Sequence, residues 1–202
     1  MEPPRTLRTE RLVLRRATIG DAEAAFRYAS DPEVTRFVGI NPRASIEQVE
    51  EFLAHADKSW DEGTAYTLAI AAQSDERVVG MIDCDVTDRG VSIGYALERA
   101  AWGRGYATEA VRAVVEWAFT NDDVHRVWTS VAVDNTASQR VLEKAGMTKE
   151  GLLHRWLPTP NVAAEPSDAY VYAMWRRTRA NLQIPSPHTT DRPRPTNASG
   201  WA

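Results

Sequence analysis

The chain has 202 residues, 24 basic against 28 acidic side chains, a net charge of -4 with neutral histidines, and 43% hydrophobic residues. That length suits one domain with a sizeable core, and the acid excess argues against a surface that tracks nucleic-acid phosphates. Cys84 is the single cysteine and the four histidines are scattered, so no disulfide framework or metal-ligand spacing is present and a reduced, metal-free cytoplasmic protein is expected.

Residues 1–11 carry Glu2, Arg5, Arg8, Glu10 and Arg11 without the apolar centre of a secretion signal. No run of about 18 apolar residues follows, so no membrane association is expected. A strand is predicted over 7–16, where Leu12 and Leu14 alternate with charged neighbours. Thr18 with Asp21 three residues on resembles a capping box and opens a helix to about Ser30. Asp31-Pro32 ends it; a short helix over 33–38, a hinge at Asn41-Pro42 and a longer helix from Ser45 to about Trp60, capped with Gln48, follow.

Strands over 66–72, 78–85 and 91–97, parted by the polar clusters 73–76 and 88–90, form an antiparallel meander. Ala107, Ala110, Val111, Val114, Val115 and Ala118 fall on one face of a helix over 107–119. A strand over 126–133, a helix over 136–145, a strand over 147–152, a proline-rich loop over 158–166 and a strand over 169–176 complete the pattern. The order is strands first and then alternation. It gives an α+β class with mixed α/β character: one domain over 1–182 with a mostly antiparallel seven-stranded central sheet flanked by helices. The polar, proline-rich remainder, 183–202, is expected to be a disordered tail.

Gly103-Arg104-Gly105-Tyr106-Ala107-Thr108 joins the strand over 91–97 to the striped helix. Two glycines and an alanine allow a tight turn and a close approach of backbone to ligand, and the helix that follows presents unpaired N–H groups and a positive dipole end. A diphosphate fits such a site. The turn lacks the Gly-Lys-Ser/Thr ending of a Walker loop. It also comes mid-chain, with Thr108 where a Rossmann fingerprint places Gly or Ala.

These residues resemble the GNAT superfamily of acyl-coenzyme A dependent N-acyltransferases, whose signature at such a turn is Gln/Arg-x-x-Gly-x-Gly/Ala. Trp102-Gly103-Arg104-Gly105-Tyr106-Ala107 matches it except at Trp102. Asp134-Asn135-Thr136-Ala137-Ser138, opening a helix that ends at Ala145-Gly146, is similar to the superfamily's second segment, Asn-x-x-Ala/Ser followed by Gly. With Gly94-Tyr95 ahead of the turn, the combination looks like the branch that includes the ribosomal-protein N-terminal acetyltransferases, over about 7–176.

The resemblance implies a GNAT-like fold and acetyl-coenzyme A as acyl-donor cosubstrate, without a metal. Gly103, Arg104, Gly105, Tyr106, Ala107 and Thr108 would hold its diphosphate, Tyr95, Ala96 and Leu97 would pair with the pantetheine arm as an extra strand, and Asn135 would contact that arm. An amide at Leu97 would polarise the thioester carbonyl. Ser138 would protonate the departing thiolate, a role strengthened because Leu142 stands where many members carry a tyrosine acid. The usual strand glutamate is matched by Ser130, leaving Glu98, Asp83 or Asp85 as proton acceptor or amine-binding group, with Glu98 the first choice. Asp168, ahead of the last strand, is expected to close loop hydrogen bonds. Cys84 sits mid-strand with no activating partner in the sequence, so direct attack by the amine in a ternary complex is expected. The acceptor is an N-terminal α-amine of a protein or peptide, or a small-molecule amine, bound between 33–60 and 153–168. A non-catalytic acyl-coenzyme A sensing module is the alternative, and a homodimer is possible.

Overall fold

The computed structural model describes residues 2–176; the tail expected over 183–202, and the last part of the domain expected over 1–182, lie outside the described residues. In chain order the elements are β1 (Thr6–Arg8), β2 (Leu12–Arg16), α1 (Ala22–Ala29), α2 (Pro32–Thr35), α3 (Ile46–Glu62), β3 (Ala65–Ala72), β4 (Val78–Thr87), β5 (Gly90–Leu97), α4 (Tyr106–Ala118), β6 (Arg126–Ala132), α5 (Thr136–Ala145), β7 (Thr148–Leu157) and β8 (Ser167–Trp175).

The eight strands among the described residues form one sheet in the order β1-β2-β3-β4-β5-β6-β8-β7. The expected seven become eight because residues 7–16 do not run straight. Thr9 turns the chain, its amide donating to the Leu12 carbonyl and its hydroxyl oxygen accepting from the Leu12 amide, each at 3.0 Å, and β1 folds back on β2. The sheet is antiparallel throughout except where β5 and β6 run parallel, as a strand–helix–strand crossover through α4 requires.

That parallel junction is short. Val91 pairs with Val127 and Ser92 with Trp128, and the register stops there, so β5 and β6 part and leave Ile93 to Leu97 bordering a gap. α4 and α5 cover one face of the sheet, where Val111, Val114 and Leu142 are fully buried with Ile82, Val91 and Tyr172. Each such valine contributes about 1.5–3 kcal/mol on burial. α1 and α3 cover the other face through Ala25, Val49 and Leu53 against Ala69, Val78 and Met81. Both helical faces follow from the apolar stripes in the sequence.

Candidate active site

The turn between β5 and α4 places Gly103 and Gly105 at φ of 73° and 81°, the left-handed region that a side chain disfavours. A Cβ on Gly103 would meet no atom within 4 Å, so the backbone there is open to a ligand. Gly105 caps α4 with no side-chain oxygen, and the first intrahelical bond runs from the Glu109 amide to the Gly105 carbonyl at 3.1 Å. The amides of Tyr106, Ala107 and Thr108 therefore stand ahead of the helical ladder, aimed out of its positive end. Arg104 is exposed at the turn.

Arg11 and Glu109 brace this turn, a pairing between residues far apart in sequence that motif reading missed. Arg11 donates through Nη1 to the Arg104 carbonyl at 2.8 Å and through Nε to Glu109 at 2.8 Å, and its guanidinium lies over the Tyr106 ring. Partial burial opposes ionisation of Glu109, but hydrogen bonds from the Thr9 hydroxyl and from the Arg11 amide and side chain outweigh it and hold the carboxyl below its usual range. The acidic charge so close to an anion site is thereby matched by a cation.

The gap beside β5 exposes strand groups in a set order. The Glu98 amide donates to the Val79 carbonyl at 2.9 Å, which makes the Val79, Met81 and Asp83 positions of β4 the hydrogen-bonded partners of Glu98, Ala96 and Gly94. Tyr95 and Leu97 consequently turn their amides and carbonyls away from β4, toward the gap. The Leu97 carbonyl accepts from Trp102 Nε1 at 2.8 Å, so Trp102, half exposed, ties the strand end to the turn.

Across the gap, α5 begins with Asn135, whose Oδ1 accepts from the Ser138 amide at 3.1 Å. The Ser138 hydroxyl lies 2.7 Å from the Tyr95 hydroxyl, which spans the gap under the strands. Burial pushes the Tyr95 phenol up to about 12, with the Ser138 hydrogen bond acting in the opposite sense, so the phenol stays protonated at neutral pH. Tyr95 was expected to act through its backbone alone; nothing in the sequence signals the contact of its side chain with Ser138. Leu142 is fully buried in the core.

The acidic candidates separate by their surroundings. Glu98 is buried and accepts from Arg77 Nη2 at 2.5 Å, with Arg27 Nε 3.9 Å away. Asp85 is exposed. Asp83 is half-buried and accepts from the Thr67 hydroxyl at 2.7 Å. Burial pushes its carboxyl up to about 6, the Thr67 hydrogen bond opposing and the Asp85 charge adding to the rise. Cys84 points into the core, where burial raises its thiol well above the usual range and removes it as a nucleophile. Asp168 accepts from the Arg155 amide at 2.8 Å and from His154 Nδ1 at 2.9 Å, closing the β7–β8 hairpin. No group of metal-ligating side chains occurs among the described residues.

On the face carrying α1 and α3, the strands beyond β5 present Trp128 and Ser130. Trp128 Nε1 is buried without a hydrogen-bond partner among the described residues, a donor that a ligand on this face would satisfy. The chain spans the same face: Asn161, in the loop between β7 and β8, donates to the Thr35 and Ile40 carbonyls, each at 2.8 Å. The two segments expected to shape the acceptor pocket are thus joined by one side chain, beside a cavity of about 280 Å³ lined by Gly39 and Pro158. A larger groove of about 1090 Å³ runs along α4 and β1, reaching Gly105 and Thr108 at one end.

Comparison with known proteins agrees with this geometry. Residues 11–148 match the acetyltransferase (GNAT) domain family. The uncharacterised N-acetyltransferase p20 of Bacillus licheniformis is 32% identical over 178 residues, which covers 87% of this chain and 98% of that protein. The uncharacterised N-acetyltransferase YoaA of Bacillus subtilis is 32% identical over 171 residues, 83% of this chain and 95% of the other. Among solved structures, Mycobacterium smegmatis RimJ in complex with CoA-disulfide superposes with a TM-score of 0.75 at 25% identity, over 87% of this chain and 90% of that one.

Proposed function

This chain belongs to the GNAT acetyltransferase family and is an acyl-coenzyme A dependent acyltransferase; from that premise we propose that it moves the acetyl group of acetyl-coenzyme A to a primary amine by direct attack in a ternary complex. The parting of β5 and β6 after Ser92 carries the reading, because it leaves the strand amides of Tyr95 and Leu97 turned to the gap beside a glycine turn suited to anions. The residues fit the cosubstrate. Gly103, Arg104, Gly105, Tyr106, Ala107 and Thr108 receive the diphosphate through amides and one guanidinium. Tyr95, Ala96 and Leu97 line the pantetheine arm, and Asn135 meets it from α5. The amides of Leu97 and Tyr95 lie one strand repeat apart, roughly 7 Å. Either position suits polarisation of the thioester carbonyl, with Leu97 the assignment favoured by the motif.

Ser138 gives its proton to the departing sulfur and takes one from Tyr95, whose hydroxyl is within hydrogen-bond reach. The acceptor enters over the face spanned by Asn161. The resemblance to the branch of ribosomal-protein N-terminal acetyltransferases, with the likeness to RimJ, supports an N-terminal α-amine of a protein or peptide over a small amine. Edge strand β7 exposes Leu152 and Trp156, a surface suited to a second copy of the chain.

Thiol release from acetyl-coenzyme A, measured against N-terminal peptides and small amines, tests this function. Ser138→Ala should lower kcat by about 10²-fold, with coenzyme A affinity by calorimetry essentially unchanged, and Tyr95→Phe should lower it less. Absence of coenzyme A binding would sink the proposal; tight binding without turnover on any amine would point to the sensing module.

A further inference from the structure

Thr67, Asp83 and Gly94 are register partners in one row across β3, β4 and β5, on the face that carries α1 and α3. On one side Asp83 is held by the Thr67 hydroxyl. On the other side the row is bare: a Cβ on Gly94 would meet no atom within 4 Å, and beyond it β6 has already diverged. The row that holds Asp83 therefore opens on the gap across the exposed backbone of Gly94. Trp128, with its unsatisfied indole N–H, borders the same face one step away.

We propose that Asp83 is the group that receives the ammonium proton of the acceptor, an inference that rests on the acetyl-transfer function above. One ammonium proton passes to the Asp83 carboxylate, and the freed nitrogen lone pair attacks the thioester carbonyl carbon. The carbon–sulfur bond breaks, its electron pair stays on sulfur, and Ser138 supplies the proton that makes the thiol. A second proton leaves nitrogen as the amide forms and restores the Ser138 side, while Asp83 returns its proton to solvent. The products are amide, thiol and one released proton, which balances the protonated amine consumed.

Glu98 is less suited, since two arginines already pair with it. The other ionisable groups near Asp83 do not compete. Asp85 is exposed two residues on; Tyr28 of α1 stays neutral because burial, and then the Asp83 and Asp21 charges, push its phenol upward; Cys84 faces the opposite core. A carboxyl raised by burial to about 6 is matched to an α-amine, ordinarily near 8, better than to a lysine amine near 10.4.

The test combines kinetics with a measurement on the unaltered protein. In wild type, kcat/KM should rise with pH through about 6, and Asp83→Asn should lose about 10²-fold or more in rate together with that acidic limb, while binding coenzyme A as before. Carboxyl-labelled wild type should show an Asp83 resonance titrating near 6 that shifts when coenzyme A saturates the protein, a readout that needs no turnover and no variant. An acidic limb retained in Asp83→Asn, or a resonance indifferent to bound coenzyme A, overturns the assignment to Asp83 and leaves acetyl transfer standing. Failure of wild type to bind coenzyme A overturns both.

Discussion

Asp83 is costly to the fold in proportion to its suitability as a base. Its native carboxyl titrates near 6, above the ordinary value of 3.8, so the folded state holds its proton more tightly than the unfolded chain. The sign follows: below about pH 4 both states are protonated and there is no cost, and as pH rises through 6 the native state must ionise a carboxyl that burial disfavours. Asp83→Asn should therefore stabilise the protein by roughly 1–3 kcal/mol above pH 6, with the gain vanishing toward pH 4, as urea unfolding at pH 4 and pH 8 would show. An equal effect at both values would mean that the side chain acts only through packing. A gain in stability paired with a loss of rate marks a site retained for chemistry.

At the level of single elements, the glycine turn is the part most exposed to substitution. Gly105→Ala forces a left-handed φ on a residue with a Cβ and drives that Cβ to 3.3 Å from Arg11 Nη2. It should cost about 1–2 kcal/mol in thermal unfolding and weaken coenzyme A binding several-fold, because the amides of α4 would be re-aimed; unchanged affinity would show that the diphosphate sits elsewhere. The elements whose sequence carried a clean period were legible to within a residue: α5 spans Thr136–Ala145 as expected, and α4 is displaced by one position. β7 runs on to Leu157, well past the expected 152, because His154, Arg155 and Trp156 lie on an exposed edge and show no apolar alternation. The split at Thr9 was hidden for a similar reason, since one backbone and one side-chain hydrogen bond between Thr9 and Leu12 make that turn without Gly or Pro. The chemistry-bearing turn and Asn135-x-x-Ser138 were visible because they are local; Tyr95 with Ser138, Arg11 with Glu109, and Asp83 facing Gly94 are meetings across the sheet that spacing cannot reveal.

Across the whole molecule, the site is assembled from two parts of the chain that meet where β5 pairs with β6 and again where Asn161 of the β7–β8 loop reaches the segment around α2. Its side chain donates to the carbonyls of Thr35, at the end of α2, and of Ile40 beyond it. Each is worth about 0.5–1.5 kcal/mol net. Asn161→Ala should raise the acceptor KM by about 3–10-fold, within the range those two bonds allow, while coenzyme A affinity, set on the far side of the sheet, stays within error. Steady-state kinetics varying each substrate in turn would separate the two, and a change confined to coenzyme A would contradict the placement of the acceptor. No helix among the described residues is long and apolar enough to cross a membrane.

The brief pairing of β5 with β6 also bears on how the molecule comes apart. Two register pairs are all that stitch the strands β1–β5 to the strands β6–β8, and what lies beneath that seam is side-chain packing against α4. Backbone pairing is sparse along this line, and the two halves are held there mainly by one shared core to which Ile82 and Val91 on one side and Val127 and Tyr172 on the other belong. A ligand laid into the seam would touch both banks and add to that hold, so occupancy would raise the stability of the whole sheet. The line along which the sheet is least paired is thus the one that a bound ligand would close.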